Sequence, residues 1–86
     1  MRLPVIKRVN SFIQEHDQDY IEKTIEVLEY ICESRGIKDE ELDTIGELLS
    51  NMYGALEVNK DIKSGTPERE ALNAFMQRVL GSIDKE

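Results

Sequence analysis

The feature that most constrains the fold is a long segment of helical apolar spacing, from Asp39 to Ser64, that contains no proline. Its apolar residues recur at about 100° per residue, which is the angular period of an α-helix. They form two neighbouring stripes, one of Leu42, Ile45, Leu49, Met52, Tyr53 and Leu56 and one of Leu48, Ala55, Val58 and Ile62. Because two apolar faces need at least two packing partners, the segment predicts a central helix enclosed by other helices.

Three further helices are predicted from their start and stop signals. Pro4 suits the first position of a first helix, and Asp19, with a glutamate three residues later, has the pattern of a capping box that opens a second. Asp39 caps the long third helix, while Gly65 ends it and Pro67 starts a fourth. The predicted helices span residues 4–15, 19–35, 39–64 and 67–81, followed by a frayed tail.

No alternating apolar pattern, internal repeat or low-complexity segment interrupts these helices. A chain of 86 residues is the size of one small domain. The sequence therefore predicts one all-α domain over residues 1–86. We expect a single-domain four-helix antiparallel bundle with a long central third helix.

Charge and composition exclude several classes of function. Eighteen acidic residues against eleven basic ones give a net charge of −7, which repels phosphates and disfavours nucleic-acid binding. A single cysteine forms no internal disulfide, no signal peptide is recognisable, and no apolar run approaches the ~20 residues of a membrane span. The expected location is the cytoplasm, without membrane attachment.

The opening MRLPVIK and residues 45–84, above all GELLSNMYGALEVNKDIKSGTPEREALNAFMQRVLGSID, resemble a short bacterial all-helical family with no assigned activity. The resemblance covers nearly the whole chain. It implies a stand-alone cytoplasmic helical domain, and it brings no catalytic or binding residues with it.

The residues best suited to chemistry occur singly. His16 lies near Glu15, Asp17 and Asp19, but the residue three positions before it is Ile13, so the Glu-x-x-His pattern of di-iron bundles is absent. Cys32 lies on the apolar stripe of the second helix and is expected to be an inert core thiol. The sequence accordingly predicts no catalytic residue, no metal site and no cofactor.

Two surface patterns remain as candidate interaction sites. Four carboxylates of the second helix, the acidic stripe, fall within about 60° of one another, which is typical of a solvated face. The stripe also suits a basic partner protein or, within the chain, the basic face of the first helix, which carries Arg2, Lys7 and Arg8. The second pattern, the small-residue ridge, recurs every four residues of the third helix and suits close approach of another helix, from this chain or from a partner. The acidic stripe comprises Glu22, Glu26, Glu29 and Glu33, and the small-residue ridge comprises Gly46, Ser50 and Gly54.

The leading hypothesis is a non-enzymatic interaction or adaptor module that acts through a protein partner or by self-association. One alternative is an acidic DNA mimic that regulates a nucleic-acid-binding protein. Another is a small enzyme or ligand binder whose site lies inside the bundle, lined by Tyr20, Tyr53 or Cys32.

Overall fold

The computed structural model describes the backbone of residues 2–84 and the side chains of residues 2–79. Four helices and no strand occur in that part of the chain, which confirms the predicted all-α fold. The helices are α1 (Leu3–Glu15), α2 (Asp19–Cys32), α3 (Asp39–Lys63) and α4 (Glu68–Asp84).

Helix α3 is the centre of the bundle and packs against all three other helices, as the sequence predicts. Helix α1 runs parallel to it, since the Arg2 amide donates to Asn51 Oδ1 at 2.8 Å and Gln18, beyond the other end of α1, accepts from Lys63. Helix α2 runs antiparallel to α3. The helices therefore alternate up and down, with α1 and α3 as the close diagonal pair.

The core lies around the second half of α3. All five buried residues of this helix fall between positions 51 and 59, and none lies between positions 39 and 50. The expectation of an enclosed third helix is therefore wrong for its first half. The reason is length, because α1 has 13 residues, about 20 Å, whereas α3 has 25, about 37 Å. The apolar core consists of Ile6, Ile13, Ile21, Ile25, Ala55, Val58, Ala71, Leu72 and Phe75.

The helix ends differ from the prediction in detail. Helix α2 stops at Cys32, three residues early, and Asp19 is its first residue and not its cap. The capping oxygen comes instead from Asp17, whose Oδ1 accepts from the Asp19 amide at 3.1 Å. At the start of α3 the residue before the helix is Lys38, and Asp39 is the first helical residue. The Glu41 carboxylate accepts a hydrogen bond from the Lys38 amide at 3.0 Å.

Helix α3 ends as predicted, at a glycine in the left-handed region. Gly65 has φ +109° and donates to the Ile62 carbonyl, while Thr66 donates to the Asp61 carbonyl, which together make a Schellman motif. Helix α4 then begins at Glu68 and continues to Asp84, three residues past the predicted end. Any fraying of residues 85 and 86 lies outside the described residues.

The molecule is flat. Its principal extents are 43 × 37 × 17 Å and its radius of gyration is 14.0 Å, against about 12 Å for a compact domain of this length. The thickness corresponds to two helix layers, and the second layer, α1, covers only part of the first.

Candidate interaction surface

The outer part of the α2–α3 hairpin, residues 26–50, contains no buried residue; we call it the distal hairpin. It nevertheless carries ten apolar residues. Seven of these are half-buried, Leu49 among them against the apolar core, and the other three are exposed. Two helices alone do not bury any of the ten completely. These residues are Val27, Leu28, Tyr30, Ile31, Cys32, Ile37, Leu42, Ile45, Leu48 and Leu49.

Charge is concentrated in the same segment. The distal hairpin holds eight acidic residues and two basic ones, a net charge of −6 out of −7 for the whole chain. The rest of the molecule is close to neutral. An approaching basic molecule is therefore attracted to this end of the protein in particular.

All four carboxylates of the acidic stripe are exposed. The stripe lies along the edge where α2 meets α3, because the Tyr53 hydroxyl of α3 donates to Glu29 Oε2 at 2.6 Å. That hydrogen bond, with smaller contributions from desolvation and the charge of Glu29, raises the pKa of Tyr53 above its ordinary value. The contact fixes one carboxylate of the stripe and leaves the others free to turn towards solvent.

A second exposed surface of α2 is apolar. Val27 is 58% exposed and Tyr30 is 75% exposed, and Ile31 is half-buried beside them. At 100° per residue, Val27 and Ile31 lie roughly 150° around the helix from the centre of the acidic stripe. Helix α2 therefore presents Val27 and Ile31 on the side away from the acidic stripe, and Tyr30 lies between the two surfaces, about 70° from the stripe.

The apolar surface of α2 continues onto α3 on the side occupied by α1. Leu48 of α3 is 39% exposed and lines a groove with Val5 of α1, which Asp43 and Glu47 border. Tyr20 of α2 packs edge-on against Phe12 of α1. Helix α1 begins beside Asn51, so within residues 2–84 no helix covers α3 on this side before that point. We call the uncovered surface of Val27, Tyr30, Ile31 and Leu48 the apolar face.

The small-residue ridge does not form one contact. A Cβ atom on Gly54 would lie 2.9 Å from Phe75 Cζ and 3.4 Å from Ile6 Cδ1, so α4 and α1 approach the backbone there. A Cβ on Gly46 would have nothing within 4 Å, and Ser50 is exposed. The intrachain close approach is therefore at Gly54, at the inner end of the ridge.

The residues considered for chemistry lie apart. His16 packs on Phe12, with ring centroids 4.3 Å apart, at the exposed corner between α1 and α2. Cys32 is a free, half-buried thiol on the last turn of α2, so the expectation of a core position is met only in part. In the described part of the chain, no three side chains of the metal-binding types lie together.

Of the three residues proposed to line an interior site, two lie on the surface. Tyr20 is 60% exposed and Tyr53 is 47% exposed. Tyr53 lines an open groove of about 460 Å³ between α2 and α3, beside Glu22 and Lys60, with Lys63 at its end. The groove carries both signs of charge, and the pKa of Tyr53 within it is raised.

Three buried asparagines were missed by the sequence analysis. Asn51 accepts from the Arg2 amide and donates to the Glu47 carbonyl, and Asn59 donates to Gln18 Oε1 at 3.3 Å. Asn10 donates to Glu68 Oε2 at 2.8 Å, and its Oδ1 is buried without a hydrogen-bond partner among the described residues. The available signal was their spacing, because Asn51 and Asn59 sit four residues either side of Ala55 in the apolar pattern.

The geometry defines a class of protein, a small helical bundle with a large exposed hairpin. Comparison with family models then identifies the chain as a member of a family of unknown function (DUF6952), whose model matches residues 1–84. No curated protein and no solved structure matches the chain. Within residues 2–84, no helix combines the length and the apolar content that crossing a bilayer requires.

Proposed function

We propose that the protein is a non-enzymatic interaction module of the cytoplasm, and that the distal hairpin forms its partner-binding surface. The observation that carries this proposal is the lack of any buried residue in positions 26–50, although ten of these residues are apolar. Seven of the ten are half-buried, and Val27, Tyr30 and Leu48 are exposed. A monomer of this size gains its modest stability from burial, so a segment that leaves its apolar residues incompletely covered is typical of a protein–protein contact.

The acidic stripe supplies the electrostatic half of the interaction. Its four exposed carboxylates, together with the net charge of −6 on the distal hairpin, favour a partner with a basic surface. Such charges increase the rate of encounter and the selectivity of binding more than they increase affinity. The partner is therefore expected to bind more weakly as salt concentration rises.

The test is capture of partners from the native cytoplasm on the immobilised protein. The variant combines Glu26→Lys and Glu29→Lys, which reverse two charges of the acidic stripe. The matched control combines Glu15→Lys and Glu70→Lys, which make the same change in net charge at exposed positions outside the distal hairpin. Circular dichroism checks that both variants keep the helix content of the wild type.

We expect the wild type and the control to capture the same partner and the stripe variant to lose it. Capture by all three proteins alike would contradict a role for the acidic stripe. Displacement of the partner by duplex DNA would identify it as a nucleic-acid-binding protein and would favour the DNA-mimic alternative over a general adaptor.

A further inference from the structure

The apolar face has a composition that differs from the rest of the distal hairpin. Its four residues, Val27, Tyr30, Ile31 and Leu48, carry no charge. Val27 and Ile31 lie across α2 from the acidic stripe, whereas Tyr30 lies about 70° from the centre of the stripe. What covers the apolar face must therefore be mainly apolar itself.

The exposed area also exceeds that of an ordinary monomer. The chain exposes 6349 Å², whereas a monomeric protein of 9.9 kDa exposes about 5,200 Å². The difference, roughly 1,100 Å², is as large as the ~800 Å² that each partner contributes to a standard protein–protein interface.

We propose that a second copy of the chain packs on the apolar face. In a two-fold contact the same patch serves both partners, so an apolar patch without charge meets another of its kind. Two α2–α3 hairpins then form an intermolecular four-helix bundle, which gives the first half of α3 the enclosure that α1 is too short to provide. The acidic stripes face outwards, so the dimer presents two of them.

This inference deepens the proposed function and rests on the same hairpin, but it assigns the two sides of α2 to different partners. The apolar side binds a second copy, and the acidic side stays available to a basic protein. Each side therefore supplies the control for a test of the other.

The experiment is sedimentation velocity over a wide range of protein concentrations. We expect the wild type to approach twice 9.9 kDa as concentration rises. The combination of Val27→Glu and Leu48→Glu should weaken the association constant by about 100-fold or more, because both side chains are central to the apolar face. The stripe variant, Glu26→Lys with Glu29→Lys, should dimerise as well as the wild type or better.

Three results would overturn the dimer: a wild type that stays monomeric at every concentration, a Val27→Glu and Leu48→Glu variant that still associates, or loss of association in the stripe variant alone. Hydrogen–deuterium exchange on the wild type gives a second readout that needs no variant. Amides of residues 26–50 should become more protected as concentration rises, and unchanged protection there would also overturn the proposal.

The outcomes separate this inference from the proposed function. A monomeric wild type that still captures a partner through the acidic stripe refutes the dimer and leaves the function standing. If the wild type dimerises but the stripe variant captures the partner as well as the wild type does, the dimer stands and the proposed role of the acidic stripe is refuted.

Discussion

Gly46 and Gly54 show how one residue type has two different consequences in the same helix. Glycine in the middle of a helix costs about 0.5 to 1 kcal/mol relative to alanine. At Gly54 the cost is offset by the close approach of Phe75, which is buried. At Gly46 nothing in the described part of the chain lies within 4 Å of a Cβ atom to explain it.

Replacing Gly54 with Leu should lower the free energy of unfolding by more than about 1 kcal/mol, because the new side chain collides with the Phe75 ring. Gly46→Leu is the matched control, and it should leave stability unchanged or raise it by up to about 1 kcal/mol. Urea unfolding followed by circular dichroism measures both. Equal effects at the two positions would contradict the close approach at Gly54.

Tyr53 gives a prediction about pH. Its pKa is raised in the folded protein because its hydroxyl donates to Glu29, so the contribution of this bond to stability is complete below the unfolded pKa. That contribution disappears as pH rises through the folded pKa. A tyrosine absorbance titration of the folded protein should therefore show one of the three tyrosines ionising at higher pH than the others.

The variant Tyr53→Phe should remove this late step and no other. Tyr30→Phe is its control, because Tyr30 is 75% exposed and its loss should leave the late step in place. Loss of the late step in the Tyr30 variant, or its persistence in Tyr53→Phe, would show that the Glu29 hydrogen bond does not control the titration.

At the scale of elements, α1 is attached to α3 by polar contacts at both ends. Asn51 binds the amide of Arg2 at the start of α1, and Asn59 binds Gln18 just beyond its end. The two asparagines are eight residues apart on α3, about 12 Å, so they fix where α1 lies along the helix.

Asn51→Leu should lower stability by about 1 kcal/mol or more, since it removes the oxygen that accepts from the Arg2 amide. Asn10→Leu should be neutral or stabilising, because it removes a buried oxygen without a partner and returns an exposed carboxylate, Glu68, to solvent. Thermal unfolding compares the two. A larger loss at Asn10 than at Asn51 would contradict this division of roles.

At the scale of the whole molecule, charge and shape act against each other. Each copy carries a net charge of −7, so two copies repel each other at long range even where their apolar faces match. Binding of a basic partner is attractive over the same distance. Salt screens both effects, with a Debye length of about 10 Å at 0.1 M.

Raising the salt concentration should therefore strengthen self-association and weaken capture of the basic partner. The same preparation can be measured for both, by sedimentation and by binding to the partner isolated from the cytoplasm. Self-association that weakens with salt would show that the contact between copies depends on opposite charges and not on the apolar face.

Much of the fold follows from local sequence signals. The apolar period of residues 39–64 predicts the long third helix, and Gly65 with Pro67 predicts the sharp connection to the fourth, because these residues restrict the backbone locally. The predicted ends of α2 were less accurate. At its start the predicted cap was Asp19, but the oxygen that accepts from the Asp19 amide belongs to Asp17, two residues earlier. At its other end the helix stops three residues before position 35. The acidic stripe was also readable, because its exposure depends only on the orientation of α2 towards the core.

The sequence by itself determined the helices, their order and the segregation of charge, since each depends on residues close together in the chain. Only the tertiary structure decided which half of α3 is enclosed, because that depends on the length and position of α1. It also decided that Gly54 lies against Phe75, while a side chain at Gly46 would meet nothing within 4 Å in the described part of the chain. Those properties depend on how separate helices meet, and a helical period contains no information about the length of the partner on the other side.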